Sequence, residues 1–267
     1  MEIARRALLD RRRSLTWWIV GSAIYAVVIV VSFPSVRGQD ELNDLMDDYP
    51  PELMALFAGG ETTFDLTAAA DYLNSQLFAF VLPLLLIILA VGFGAASVAG
   101  EEERGTLELV MSYPVTRGRV LLEKAAVLVV LVAILATATY VVTFGVGLIV
   151  DVDVALVDVA LSLVGQILLG ITFGFFALAV GAFSGSRVLA IAVASGVAAT
   201  SYLVGSLAPV VSWLEPFKWV SLFYYATGDN PLANGLPLGH VIVLVGGAAA
   251  ALAAAVVGFA RRDLRGR

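Results

Sequence analysis

Long apolar runs alternate with short polar ones along this chain, and the alternation shows no period of two. Six stretches carry no Asp, Glu, Lys or Arg: residues 14–36, 72–100, 125–150, 159–186, 188–214 and 230–260. Each exceeds the roughly 20 residues that a helix needs to cross the hydrocarbon core. A charge near the centre of a span costs about 2.5–3.5 kcal/mol on insertion scales, so charge-free windows of this length suit lipid. Strands would show shorter segments of alternating polarity. The pattern predicts an all-α membrane protein with a single transmembrane domain over 1–267. Its six spans lie at about 15–35, 76–100, 125–149, 160–183, 188–210 and 239–260. The first apolar run is longer than a signal-peptide core, and no small-residue cleavage site clearly follows it, so it is expected to remain as a span.

Composition supports this. Hydrophobic residues make up 60% of the chain and charged residues 14%, against about 45–50% and about 25% in soluble domains. The charges also sort by loop. Fourteen of the 16 Lys and Arg lie before residue 14, between 101 and 124, at 187, and after 260; only Arg37 and Lys218 lie on the other side. Basic loops stay in the cytosol, so both termini and the 101–119 loop are expected there. The opposite loops hold 14 of the 22 acids. An acidic exterior with only two Lys fits a halophile. No basic surface suggests nucleic acid.

Three polar pieces have two readings each. Residues 1–13 place Ile3, Ala4, Ala7 and Leu8 on one side and Arg5, Arg6, Arg12 and Arg13 mostly on another. They form either an interfacial amphipathic helix or a basic tail that sets topology, with Trp17 and Trp18 marking the inner interface. In the 37–74 outer loop, Asp40, Asp44, Asp47 and Asp48 share a helical face; this is a solvated acidic face or a hard-cation site. The 211–238 outer loop crowds Trp213, Phe217, Trp219, Phe223, Tyr224 and Tyr225, as an aromatic belt or a short re-entrant helix hinged at Pro216 and Gly228. Within the spans, Pro83 should kink or loosen the second. Gly170-x-x-x-Gly174 and Gly181-x-x-x-Gly185 in the fourth allow close helix packing, within the chain or between copies.

Catalytic chemistry finds no footing. The single His240 sits near the start of the last span, and no Ser–His pair or paired carboxylates lie at membrane depth. No Walker A loop, H-E-x-x-H or G-x-S-x-G occurs. No cysteine and one histidine make a soft-metal site improbable. The spans hold no ionisable residue of the kind that ion-coupled transporters keep. Asn74, Gln76 and Gln166 are the main polar groups there, and such residues more often join helices. An energy-consuming task therefore requires a partner.

The loop EEERGTLELVMSYPVTRGR, residues 101–119, carries seven charges between two apolar runs. Glu101, Glu102, Glu103 and Arg104 end the second span. Gly105 breaks the helix and Thr106 can cap a new one. Leu107, Val110 and Met111 follow at i, i+3 and i+4, an apolar face with Glu108 to its side. Pro114 limits this helix to about two turns, and Arg117 leads back to the bilayer. Such a face suits a groove in another protein or the membrane surface.

The run from Glu101 to Lys124 strongly resembles the first cytoplasmic loop of type-2 ABC transporter permeases. That family shows an acidic-Arg-Gly-Thr-Leu-Glu run, a short apolar helix, a Pro, one or two Arg, and a Lys entering the third span. Glu103, Arg104, Gly105, Thr106, Leu107, Glu108, Pro114, Arg117 and Lys124 match; Glu123 stands where Gly is common. The basic N-terminus, six spans, aromatic outer loop and Arg-rich tail extend the likeness along the chain.

The resemblance implies that 101–119 is a coupling helix docking on a separate ATP-binding subunit. Leu107, Val110 and Met111 would form the docking face, with Glu101 to Arg104 and Arg117 at its rim. It further implies two permeases, identical or homologous, with two ATPases. ATP and Mg would be bound by the partner, no cofactor or metal by this chain, and transport at the cell membrane would usually run outward. The alternative is a membrane scaffold that recruits a cytosolic partner without transport. An intramembrane enzyme would have only His240 as a histidine candidate.

Overall fold

The computed structural model describes residues 2–39, 49–61, 65–107, 116–152, 154–228 and 230–261. Among them the regular structure is helical and no strand occurs. Among the described residues six segments are long and apolar enough to cross a membrane: Arg11–Val36, Ala69–Ser97, Arg117–Ile149, Leu156–Ser184, Arg187–Leu207 and Leu238–Arg261. The Asp40, Asp44, Asp47 and Asp48 face lies outside the described residues.

Helix α1 (Glu2–Val36) is continuous. The N-terminal stretch expected as an interfacial helix over 1–13 runs without a break into the first span. The sequence offers no break, since neither Gly nor Pro occurs before Gly21, and Ala, Leu and Arg favour helix. Two short helices follow at the opposite end, α2 (Pro51–Phe57) and α3 (Ala69–Leu73).

The second span starts at Ala69 rather than near residue 76. Helix α3 passes into a π-helical turn, Asn74–Phe78. The chain steps at Phe80, with φ −130° and ψ −57°, before α4 (Val81–Ser97). Pro83 explains the step. It has no N–H to give, and its ring would strike the carbonyl four residues back; in the first turn of α4 neither matters. Neighbours take the carbonyls on the π turn: the Tyr25 hydroxyl donates to Gln76 O at 2.9 Å and Gln166 Nε2 donates to Phe78 O at 3.0 Å. Inside a membrane such groups need protein partners, because no water is there to bond them.

Helix α5 (Ala99–Glu103) closes the second span. The third, α6 (Arg117–Ile149), starts earlier than the expected residue 125. A charge-free window marks the hydrocarbon, whereas the helix extends into the polar layer, where Arg119 and Glu123 pair at 3.3 Å across one turn. Helices α7 (Leu156–Ser184) and α8 (Arg187–Leu207) form the next two spans. A 3₁₀ turn (Glu215–Val220) and the short helices α9 (Leu222–Thr227) and α10 (Pro231–Asn234) precede the last span, α11 (Leu238–Arg261).

Helix α7 is the hub. It packs on α4, α6, α8 and α11, while α1 rests chiefly on α6. Its apolar window is 72% buried, against 22% for α1 and α11, so those two outer helices offer most of their surface to lipid or another chain. The hub depends on small residues. A Cβ on Gly94 would collide with the Gly174 carbonyl; one on Gly174 would stand 2.8 Å from Leu128 and 2.9 Å from Ala90; one on Gly170 would stand 3.2 Å from Leu86. The Gly170/Gly174 pair is therefore used within the chain. Gly181 faces Ala99, with a Cβ there 3.4 Å away. Gly185 has a different role from the packing expected of it. Its φ of +65° ends α7 as a left-handed cap whose N–H donates to Gly181 O.

The 211–238 segment has an exposed part and a buried part. Trp213, Phe217 and Trp219 are exposed. Helix α9 instead tucks against α7, α8 and α11, with Phe223, Ala226 and Thr227 buried. Its first turn is fixed to α8: Leu222 N–H donates to Ser201 Oγ at 2.9 Å, and Ser221 Oγ donates to Ser201 O at 2.6 Å.

Candidate functional site

The loop between the second and third spans is built onto three other helices. Glu101, at the end of the second span, forms an ion pair with Lys124 of α6, and the Lys124 ammonium also donates to the Ser97 carbonyl. Lys124 is only 3% exposed. A buried ammonium is tolerable only when paired and hydrogen-bonded, and Glu101 and Ser97 supply both conditions.

Glu103 reaches a different helix. Its Oε1 accepts the Arg187 backbone N–H of α8 at 2.8 Å. The first N–H groups of a helix lack internal partners, and its N-terminus carries partial positive charge. A carboxylate there satisfies both. Ser186 supplies the ordinary cap, accepting from Leu189 N–H at 3.3 Å. The side chain of Arg187 lies over Gly100, where a Cβ would stand 3.3 Å from Arg187 Cδ.

After Arg104, Gly105 turns the chain with φ +69°, and helical conformation resumes at Thr106 and Leu107. Thr106 Oγ1 donates back to Glu101 O at 3.1 Å. Leu107 departs from expectation. It is 1% exposed and belongs to the chain's own core, so it does not present a docking surface here. Its periodic partners Val110 and Met111, with Glu108 and Pro114, lie outside the described residues. The loop returns through Thr116, whose side chain accepts from Arg119 N–H and caps α6. Arg117 Nη1 donates to Phe259 O at 3.4 Å, with its guanidinium 6.0 Å from the Phe259 ring centroid. That joins the loop to the last span.

The expected rim residues Glu101, Glu103 and Arg117 are thus occupied with the chain's own helices. Glu102 also has an interaction within the chain. Lys124, Arg187 and Phe259 complete the assembly. Lys124 was legible as the lone Lys opening a long apolar run; the sequence gives no sign that α8 and α11 approach the loop.

The opposite, acidic end holds a second polar cluster. Asn230 is fully buried, and its Nδ2 donates to Asp71 Oδ1 at 2.8 Å and Glu61 Oε2 at 3.3 Å. This ties the α9–α10 segment to the first turn of the second span and to the loop before it. His240 packs 5.2 Å from the Tyr225 ring and 5.4 Å from the Tyr224 ring. That is an aromatic environment. No group of three His, Cys, Asp or Glu suited to a metal occurs among the described residues.

No curated protein matches the chain. The family described as ABC-2 family transporter protein does, over residues 1–264. With six membrane-length helices and a match along nearly its whole length, the chain belongs to the ABC-2 transporter family as a multi-pass membrane protein.

Proposed function

We propose that this chain is the membrane-spanning permease subunit of an ATP-driven exporter, coupled through residues 101–119 to a separate ATP-binding subunit. One observation carries the coupling: the loop is tied to three other spans. Glu101 holds α6 through Lys124, Glu103 holds the start of α8, and Arg117 holds the end of α11. Force applied to such a loop moves helices. A loop merely recruiting a protein would not need these ties. Lysine and arginine placement supports a cytosolic position for it and for both termini. Two copies of the ATPase, binding ATP and Mg, would serve two permeases in the cell membrane. The exposed faces of α1 and α11 leave room for the second permease. Outward transport follows the usual direction of similar permeases.

Tagged protein purified from native membranes tests this. An ATPase should co-purify, with vanadate-sensitive hydrolysis in the eluate. Because Leu107 is buried, the informative variant is Val110→Arg with Met111→Arg. It should lose the ATPase while keeping the melting temperature of the unaltered chain. Retained ATPase in that variant removes the docking assignment. Absence of any ATPase from intact, folded protein favours a non-transporting scaffold.

A further inference from the structure

A groove of about 220 Å³ opens between α1, α4, α6 and α8. Arg11 and Arg187 line one end; Trp18, Ile88 and Leu131 line the part deeper along the spans. The space is on the order of seven water volumes, enough for a phosphate group and the upper part of one acyl chain.

Depth argues for an amphiphile. Arg11 lies three residues before the charge-free run 14–36, and Arg187 separates the charge-free runs 159–186 and 188–214. Both guanidiniums therefore stand at the boundary of the hydrocarbon on the same, arginine-rich side. Beyond them the lining turns apolar, and Ile88 is 47% exposed, so the groove is open along the lipid-facing side.

Charge argues for an anion. The Arg187 backbone is bonded to Glu103, but no ion pair of its guanidinium occurs among the described residues. The Arg11 guanidinium lies 5.6 Å from the Phe93 ring centroid. That contact draws it inward over an aromatic face. Two arginines lining one apolar groove at headgroup depth complement a phosphate with a hydrocarbon tail. They would repel the amine of a zwitterionic headgroup.

We propose that this groove binds an anionic glycerophospholipid, its phosphate between Arg11 and Arg187 and one acyl chain along Trp18, Ile88 and Leu131. The site does not depend on transport and is tested separately from it.

Delipidated full-length protein in neutral detergent would be titrated with phosphatidylglycerol, phosphatidylcholine or inorganic phosphate, with bound lipid read by native mass spectrometry. One phosphatidylglycerol per chain should be retained preferentially. Arg11→Gln and Arg187→Gln should each weaken it about fivefold, and together about 25-fold, from the usual contribution of a basic residue near an anionic headgroup. Arg12→Gln with Arg13→Gln removes the same charge from exposed neighbours and should leave binding nearly unchanged. Arg11→Lys with Arg187→Lys should keep most of it, and melting curves establish that each variant is folded. Should the double Gln variant not fold, the two single variants decide. Equal loss in the Arg12/Arg13 control overturns the site in favour of general electrostatics. Equal retention of phosphatidylcholine overturns the anionic preference, and displacement of the lipid by millimolar phosphate overturns the lipid assignment.

Discussion

Gln166 Nε2 stands 3.0 Å from the carbonyl oxygen of Phe78 and donates a hydrogen bond to it across two spans. The carbonyl sits at the π turn that precedes Pro83. A single polar side chain in the hub helix thus compensates a break in its neighbour. Gln166→Leu leaves that carbonyl without the donor and should destabilise the protein by about 1–2 kcal/mol. Thermal unfolding in detergent measures it. No loss would mean that the break is satisfied by other means.

The Lys124–Glu101 pair gives a sharper expectation. Glu101→Ala leaves a buried ammonium with only the Ser97 carbonyl, at a cost of about 3 kcal/mol. Lys124→Met alone should cost less, and Glu101→Ala with Lys124→Met should recover much of the loss. A double-mutant cycle on unfolding free energies reads the coupling; strict additivity would show that the pair contributes nothing.

Glu103→Ala removes an acceptor and a negative charge from the start of α8, an effect of about 1 kcal/mol. Hydrogen exchange should rise about fivefold at the Arg187 to Ala190 amides while mid-helix amides keep their protection. Glu103→Gln, which keeps an acceptor oxygen, should show a smaller rise. A change spread evenly along α8 would contradict a terminal cap.

Gly94 and Gly92 lie two residues apart on α4 and should behave oppositely. A Cβ at Gly94 meets the Gly174 backbone, whereas one at Gly92 meets nothing within 4 Å. Gly94→Ala should cost about 1–3 kcal/mol from overpacking. Gly92→Ala should be neutral or slightly stabilising through helix propensity. Comparable effects at both sites would place the close crossing elsewhere.

Leu107 shows where sequence reasoning stops. The spacing of Leu107, Val110 and Met111 tells which residues share a helical face, not what covers that face. The bundle covers Leu107, so Leu107→Arg is expected to disturb folding before it disturbs docking. Gly185 carries the same lesson. Its spacing from Gly181 fits a packing motif, but its position just after α7 made it the left-handed cap. By contrast, Gln166 joins two helices as polar residues in spans are expected to do, because lipid offers them no water.

Composition and charge placement by themselves determined that this chain is helical, carries six segments long and apolar enough to cross a membrane, and has a polar loop between the second and third of them. Those properties follow from the one-dimensional cost of placing backbone and charge in hydrocarbon, and every residue meets that cost wherever it packs. Only the tertiary structure decided that α7 is the hub, that Gly94 and Gly174 meet, and that Glu103 caps α8 while Arg117 reaches α11. Each of these depends on which helices are neighbours, and in a membrane that choice rests on shape and a few hydrogen bonds, because apolar side chains find lipid and protein nearly alike.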